Sequence, residues 1–211
     1  MKTILELCRE VSDILGVKRP NDLLDNSENN RLWLNITNKT LLNLNNRELK
    51  INVKDETFEL KDDKRIDIVE WFPDFKSYVK YTHFFVFDKR MRLLDMTRGV
   101  FTGNNLYACD YLKFNIKDNI IEILDKLDDA SYIKFLYNSK VILWDYDNFT
   151  DKMILTKNTD VPIYSEDLVR KGLIYFYQEE INSKDKLDDF NMYMKELERC
   201  EFMDICINER K

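Results

Sequence analysis

The chain opens on a helical period. In "TILELCREVSDILGVKRP", positions 3–20, apolar side chains fall at Ile4, Leu7, Val11 and Ile14, with Leu5, Cys8 and Leu15 beside them. That spacing marks one face of a helix. Thr3 and Glu6 have the separation of a capping box. Gly16 stands where a left-handed residue would end the helix, and Pro20 prevents its resumption. A second helix is predicted from Asp25-Asn26-Ser27 through Leu32, Trp33, Ile36, Thr40, Leu41 and Leu44. The short polar loop between them predicts an antiparallel pair.

After this pair the period changes to two. "LKINV" alternates at Leu49, Ile51 and Val53, and "ETFEL", "RIDIVEWF" and "YVKYTHFFVF" continue in β-prone residues. Pro73 turns "WFPDF" into a bend. "MTRGVFTGNN", with two glycines, reads as a loop. Two hairpins are predicted next. One turns at Asp118-Asn119 between "YLKFNI" and "IIEIL". The other turns at Asn138-Ser139 between "YIKFLY" and "KVILWDY", and "DKMILT" from Asp151 adds a strand.

The last third is helical again. Ser165 is placed to cap a helix whose first turn holds Glu166 and Asp167, where the helix dipole favours negative charge. Its inward residues are predicted to be Leu168, Leu173, Phe176 and Tyr177, then Ile181. A second helix follows, with Leu187, Phe190, Met194 and Leu197 on one stripe. The fold class is therefore α+β: an N-terminal helix pair, a β-rich middle with hairpins and a C-terminal helical hairpin. One domain is expected over 1–211. Its helical parts, 1–47 and 161–200, pack together around a β-rich insertion at 48–160, and 201–211 forms a tail.

Composition narrows the chemistry. Apolar residues make up 44% of 211 and aromatics 13%, enough for a substantial core. The net charge is −6 and no basic stripe is present, which argues against a protein that grips nucleic-acid phosphates. Cys8, Cys109, Cys200 and Cys206 form no C-x-x-C pair and read as reduced thiols. Neither a signal peptide nor a run of roughly 18 apolar residues is seen, so no membrane association is expected.

No cofactor site is legible: both Gly-rich phosphate-loop patterns are missing. His83, the single histidine, sits in a strand-like run and is read as structural. The carboxylates of "DYDNFTD" (Asp145, Asp147, Asp151) lack the glycine and closing glutamate of a calcium loop and are read as a turn. Adjacent acids such as Asp128-Asp129 and Glu179-Glu180 arise readily among 39 acidic residues. The Asn-x-Thr triplets at Asn35, Asn38 and Asn148 are read as chance in an Asn-rich chain.

Three stretches carry a resemblance. "TILELCREVSDILGVKRP" has the form of the N-terminal helix of the head-to-tail adaptor, or tail accessory factor, proteins of short-tailed phages. "WFPDF" at 71–75 is similar to that family's Leu-Pro-x-Asp-Phe bend. "PIYSEDLVRKGLIYFYQEEINSKDKLDDFNMYMKELERCEF" at 162–202 resembles its closing helical hairpin. The chain departs from the family after the second helix, where "NNRELKINVK" replaces a basic-aromatic segment, and residues 76–130 follow no family pattern.

The resemblance implies a non-enzymatic virion protein of the neck or tail, made in the host cytoplasm. Copies would form a ring beneath the portal protein, about twelve by analogy with portal symmetry. The ring would extend the channel for genome DNA, without sequence-specific binding, and seat the tail nozzle. Phe202, Ile205 and Ile207, apolar on an otherwise polar tail, are the candidate docking residues. The alternative is a peptidoglycan-degrading, muramidase-like role. It would need one carboxyl held protonated in an apolar pocket with a second carboxylate nearby.

Overall fold

A computed structural model of the chain describes residues 1–47, 49–60, 65–79, 83–98, 104–108, 112–126 and 130–202. It is α+β, with helices at both ends of the sequence and strands between. The chain divides into two compact units, Met1–Asn52 with Val141–Lys211 and Val53–Lys140. The boundary at 140 lies well before the expected return at 161, so the strands after Val141 belong with the helices.

The helical unit contains α1 (Ile4–Ile14), α2 (Glu28–Asn45), β10 (Leu143–Asp145), β11 (Thr150–Lys152), β12 (Val161–Pro162), α4 (Glu166–Glu180) and α5 (Lys186–Phe202). Helix α1 starts as predicted. The Glu6 amide donates to Thr3 Oγ1, and the Glu6 carboxylate accepts from the Thr3 amide at 2.7 Å. Gly16, at φ +65°, follows the C-cap Leu15. Ser27 precedes α2 without a side-chain cap bond, whereas Ser165 accepts from the Leu168 amide at the start of α4.

Helix α4 is the hub against which α1, α2 and α5 lie; α1 and α2 meet over a smaller area, where Cys8 Sγ stands 3.3 Å from Thr37 Oγ1. Trp33 is fully buried and stacks on Tyr177 at 5.1 Å. Gly172 lets α2 and α5 come close, since a Cβ there would stand 2.6 Å from Thr40 Cγ2 and 3.2 Å from the Tyr193 ring. Tyr193 fills that notch and donates to Asn43 Oδ1 at 2.9 Å. The expected stripe holds in the second half of α5, where Leu197 is buried and Met194 packs on the core, and fails in the first half. Tyr193, Glu196, Leu197 and Cys200 are buried, whereas Leu187 is 66% exposed and Phe190 lies at the surface. Ile181, expected inside, is the C-cap of α4 and is 52% exposed.

The β unit contains β1 (Val53–Glu59), β2 (Arg65–Asp67), a short helix α3 (Ile68–Trp71), β3 (Phe75–Tyr78), β4 (His83–Phe87), β5 (Leu93–Arg98), β6 (Asn104–Ala108), β7 (Leu112–Lys117), β8 (Ile120–Lys126) and β9 (Tyr132–Ser139). One sheet runs β1-β9-β4-β5, with β3 also on β9, and the other runs β2-β8-β7-β6. Their apolar residues form one core, in which Phe84 meets Phe114 at 5.2 Å and stacks on Phe135 at 5.9 Å.

The Asp118-Asn119 hairpin is present, with Asp118 at φ +55°. The one predicted at Asn138-Ser139 is not. β9 instead extends over both residues and ends at Ser139; the pair lacks the glycine a tight turn favours and both side chains are engaged. Asn138 Nδ2 donates to Ser77 Oγ at 3.1 Å and Ser139 Oγ to Asp74 Oδ2 at 2.7 Å.

Other segments also depart from the β reading. Lys50–Asn52 forms a 3₁₀ turn, where Asn52 is buried and donates to the Leu44 and Arg47 carbonyls. Asp67 accepts from the Val69 and Glu70 amides and so starts α3 inside "RIDIVEWF". "MTRGVFTGNN" is strand at both ends, in β5 and β6, and its residues 99–103 lie outside the described part. "DKMILT" is strand only at Asp151 and Lys152.

Candidate functional site

The sequence brought forward carboxylates, and the structure shows what holds them. Asp145 is buried at the end of β10. It accepts from the Asp147 and Asn148 amides at 3.1 and 3.2 Å, and from Asn148 Nδ2 at 2.9 Å. Lys152 Nζ lies 3.0 Å and Lys157 Nζ 3.1 Å from its Oδ2. These bonds, the one from Lys152 foremost, hold the carboxyl well below the usual range. Asp160 is also buried and accepts from Lys152 Nζ at 2.6 Å and from the Thr156 and Lys157 amides at 2.9 Å. Two lysines thus occupy the place a cation would take in "DYDNFTD". The segment is a turn, as its sequence predicts.

A second node fixes the "WFPDF" bend. Asp74 accepts from Ser139 Oγ, from Tyr137 Oη at 3.0 Å and from Lys54 Nζ at 2.8 Å. Burial would raise its pKa, but these bonds outweigh it and hold the carboxyl below its ordinary value. Glu56, nearby, is shifted upward, chiefly by burial. Opposed shifts in neighbouring acids are the pattern an acid–base pair would show. Here, however, both Asp74 oxygens are committed to β1 and β9, which makes the residue a staple between strands.

Glu196 forms a third node, buried on α5. Lys171 lies 2.5 Å from its Oε2, and Arg199 donates twice to its Oε1, at 3.0 and 2.5 Å.

The surface above Asp145 differs in kind. Tyr146 is 65% exposed, Phe149 72% and Ile154 68%, and Met153 is also exposed. Phe149 packs edge-on against Trp144, with centroids 6.5 Å apart, and lies 6.1 Å from the Tyr146 ring. Its φ of +53° is an outlier for a bulky side chain. The anchored Asp145 turn therefore holds an aromatic cluster out of the fold. Contiguous exposed apolar side chains of this sort mark interaction sites. Sequence reading passed over them. The available signal was two aromatic residues inside an Asp/Asn-rich turn, where no periodicity asks for them.

The other named candidates are dispersed. Phe202 is the last residue of α5, and Ile205 and Ile207 lie outside the described residues, as do Cys109, Cys206 and the Asp128-Asp129 pair. His83 opens β4. Cys8 is buried, its thiol pushed up to about 12 by burial, the Thr37 contact at 3.3 Å offsetting this only in part. Glu180 pairs with Lys39. Among the described residues no three His, Cys, Asp or Glu gather as a metal site, and no helix is long and apolar enough to cross a membrane. The chain matches no family model and no curated protein sequence.

Proposed function

We propose that the protein is a structural head-to-tail connector. It joins a ring beneath a portal protein, extends the DNA channel and seats the tail nozzle. The resemblance at "TILELCREVSDILGVKRP", "WFPDF" and residues 162–202 supports this reading. One structural observation carries it: an exposed aromatic cluster, Tyr146 with Phe149, sits on a hydrogen-bonded turn of the helical unit, the arrangement of an interface. The buried carboxylates below it are occupied by lysines and backbone amides, and so serve architecture. Phe202, Ile205 and Ile207 are assigned to the portal-docking segment.

Light scattering on a sizing column tests this, with the chain alone and mixed with a portal ring from the same source. The expected result is joint elution at a fixed multiple of the chain per ring. Removing residues 201–211 should abolish that binding and leave the melting transition in place. A chain that never elutes with the portal would overturn the connector reading.

A further inference from the structure

We propose that the β10–β11 turn of one copy docks into the open depression beside the amino end of α2 on a second copy. The inference deepens the ring reading and rests on it.

The turn is built as a plug. Tyr146 and Phe149 stand out from it, with exposed Asp147 and Asp151 alongside. The cations of the same loop, Lys152 and Lys157, are drawn back to Asp145 and Asp160, so the outward charge of the tip is negative. Asp147 leans on Lys157 at 3.4 Å and still keeps more than half its side chain in solvent. The anchored Asp145 and the constrained backbone at Phe149 leave little conformational freedom to lose on docking.

The depression is its complement. It measures about 790 Å³, and Lys18, Arg31, Leu32, Asn29 and Asn35 line it with one carboxylate, Glu28. An adjoining hollow of about 380 Å³ shares Lys18 and reaches Arg19, which is paired with Asp13; Asp22 and Asp25 also line it, so the cationic character of the socket rests on Lys18 and Arg31 in the larger depression. A space of this size accepts a group as large as two aromatic rings, since cavities of about 300–1,000 Å³ enclose drug-sized ligands. Leu32 offers apolar contact and Arg31 a guanidinium able to stack on a ring. Lys18 and Arg31 answer Asp147 and Asp151.

Plug and socket also belong to one body. Asn158, which follows β11, donates to Asp22 Oδ1 at 2.7 Å and accepts from the Leu23 amide at 2.9 Å. Each copy therefore carries both halves in fixed relation, and the contact can repeat from copy to copy.

The test is a charge swap, read by sedimentation velocity on the full chain. One variant carries Asp147→Lys with Asp151→Lys, another Lys18→Glu with Arg31→Glu, and a third Phe149→Ser. Each should self-associate at least about tenfold more weakly than the wild type, as loss of a central anchor does. An equal mixture of the two charge variants should regain association. All substituted side chains are at the surface, and unchanged circular dichroism will show that the fold is kept. A wild-type chain that stays monomeric, or variants that associate like the wild type, would overturn the contact, as would a mixture that gains nothing. Mixing the same proteins with the portal ring separates the two readings. Portal binding without a swap effect leaves the connector standing and removes this contact. A restored swap without portal binding does the reverse.

Discussion

Asp74 shows how a single residue ties local sequence to the wider fold. It follows Pro73 in the bend before β3, yet its partners Lys54, Tyr137 and Ser139 lie on β1 and β9. Replacing it with asparagine keeps one acceptor but removes the negative charge that the Lys54 ammonium faces at 2.8 Å. Asp74→Asn should destabilise the β unit by about 1–3 kcal/mol, the cost of breaking bonds to a partly buried charged group. Urea unfolding of the full chain would measure it. The pH dependence has a defined sign. The folded pKa of Asp74 is depressed, so its stabilisation is complete above the unfolded value of about 3.9 and is lost as pH falls through the folded value. Below about pH 4 the wild type should therefore lose melting temperature faster than Asp74→Asn. Parallel melting curves for the two would refute the staple.

At the scale of elements, Gly172 decides how three helices meet. Alanine is favoured over glycine within a helix by about 1 kcal/mol, so Gly172→Ala would stabilise an isolated α4. In the fold the new methyl meets Thr40 Cγ2 at 2.6 Å and the Tyr193 ring at 3.2 Å. Overpacking of this kind costs typically about 1–3 kcal/mol and should win, giving a net loss in calorimetry; an unchanged or raised melting temperature would show that Thr40 moves aside at no cost. The same packing explains what the sequence could reveal. Helix α1 and the start of α4 are set by neighbours in the chain, Thr3 with Glu6 and Ser165 with Leu168, and both were legible. The buried face of α5 is set by a notch in another helix; its periodicity gave Met194 and Leu197 correctly but also pointed to Leu187 and Phe190, which are exposed. β9 likewise extends over Asn138-Ser139, where Ser139 Oγ donates to Asp74, more than sixty residues away. The aromatic tip was hidden for the opposite reason: it satisfies no pattern, being held out by a buried carboxylate whose lysine partners follow later in the chain.

For the whole molecule, the β unit is an insertion whose two ends close on each other. Val53 pairs with Asn138 and Lys54 with Tyr137, in antiparallel register. Partners across such a ladder have Cα atoms about 4.5–5.5 Å apart. Each core is drawn from its own unit: residues from Ile4 to Leu49 and from Val141 to Cys200 make one, and Phe58 to Tyr137 the other. Among the described residues, the core of the helical unit includes no buried apolar side chain from 53–140. Replacing 53–140 by a flexible linker of about four residues, which spans that gap with ease, should leave the helical unit folded. The expected outcome is a cooperative thermal transition that retains the helical circular dichroism of the full chain. The aromatic tip lies in the retained part, so the self-association assigned to it should survive the excision with its dependence on Phe149. A shortened chain without cooperative unfolding would show that the helical unit depends on the insertion for its stability. A folded but strictly monomeric one would place the self-contact on the β unit instead of the Asp145 turn.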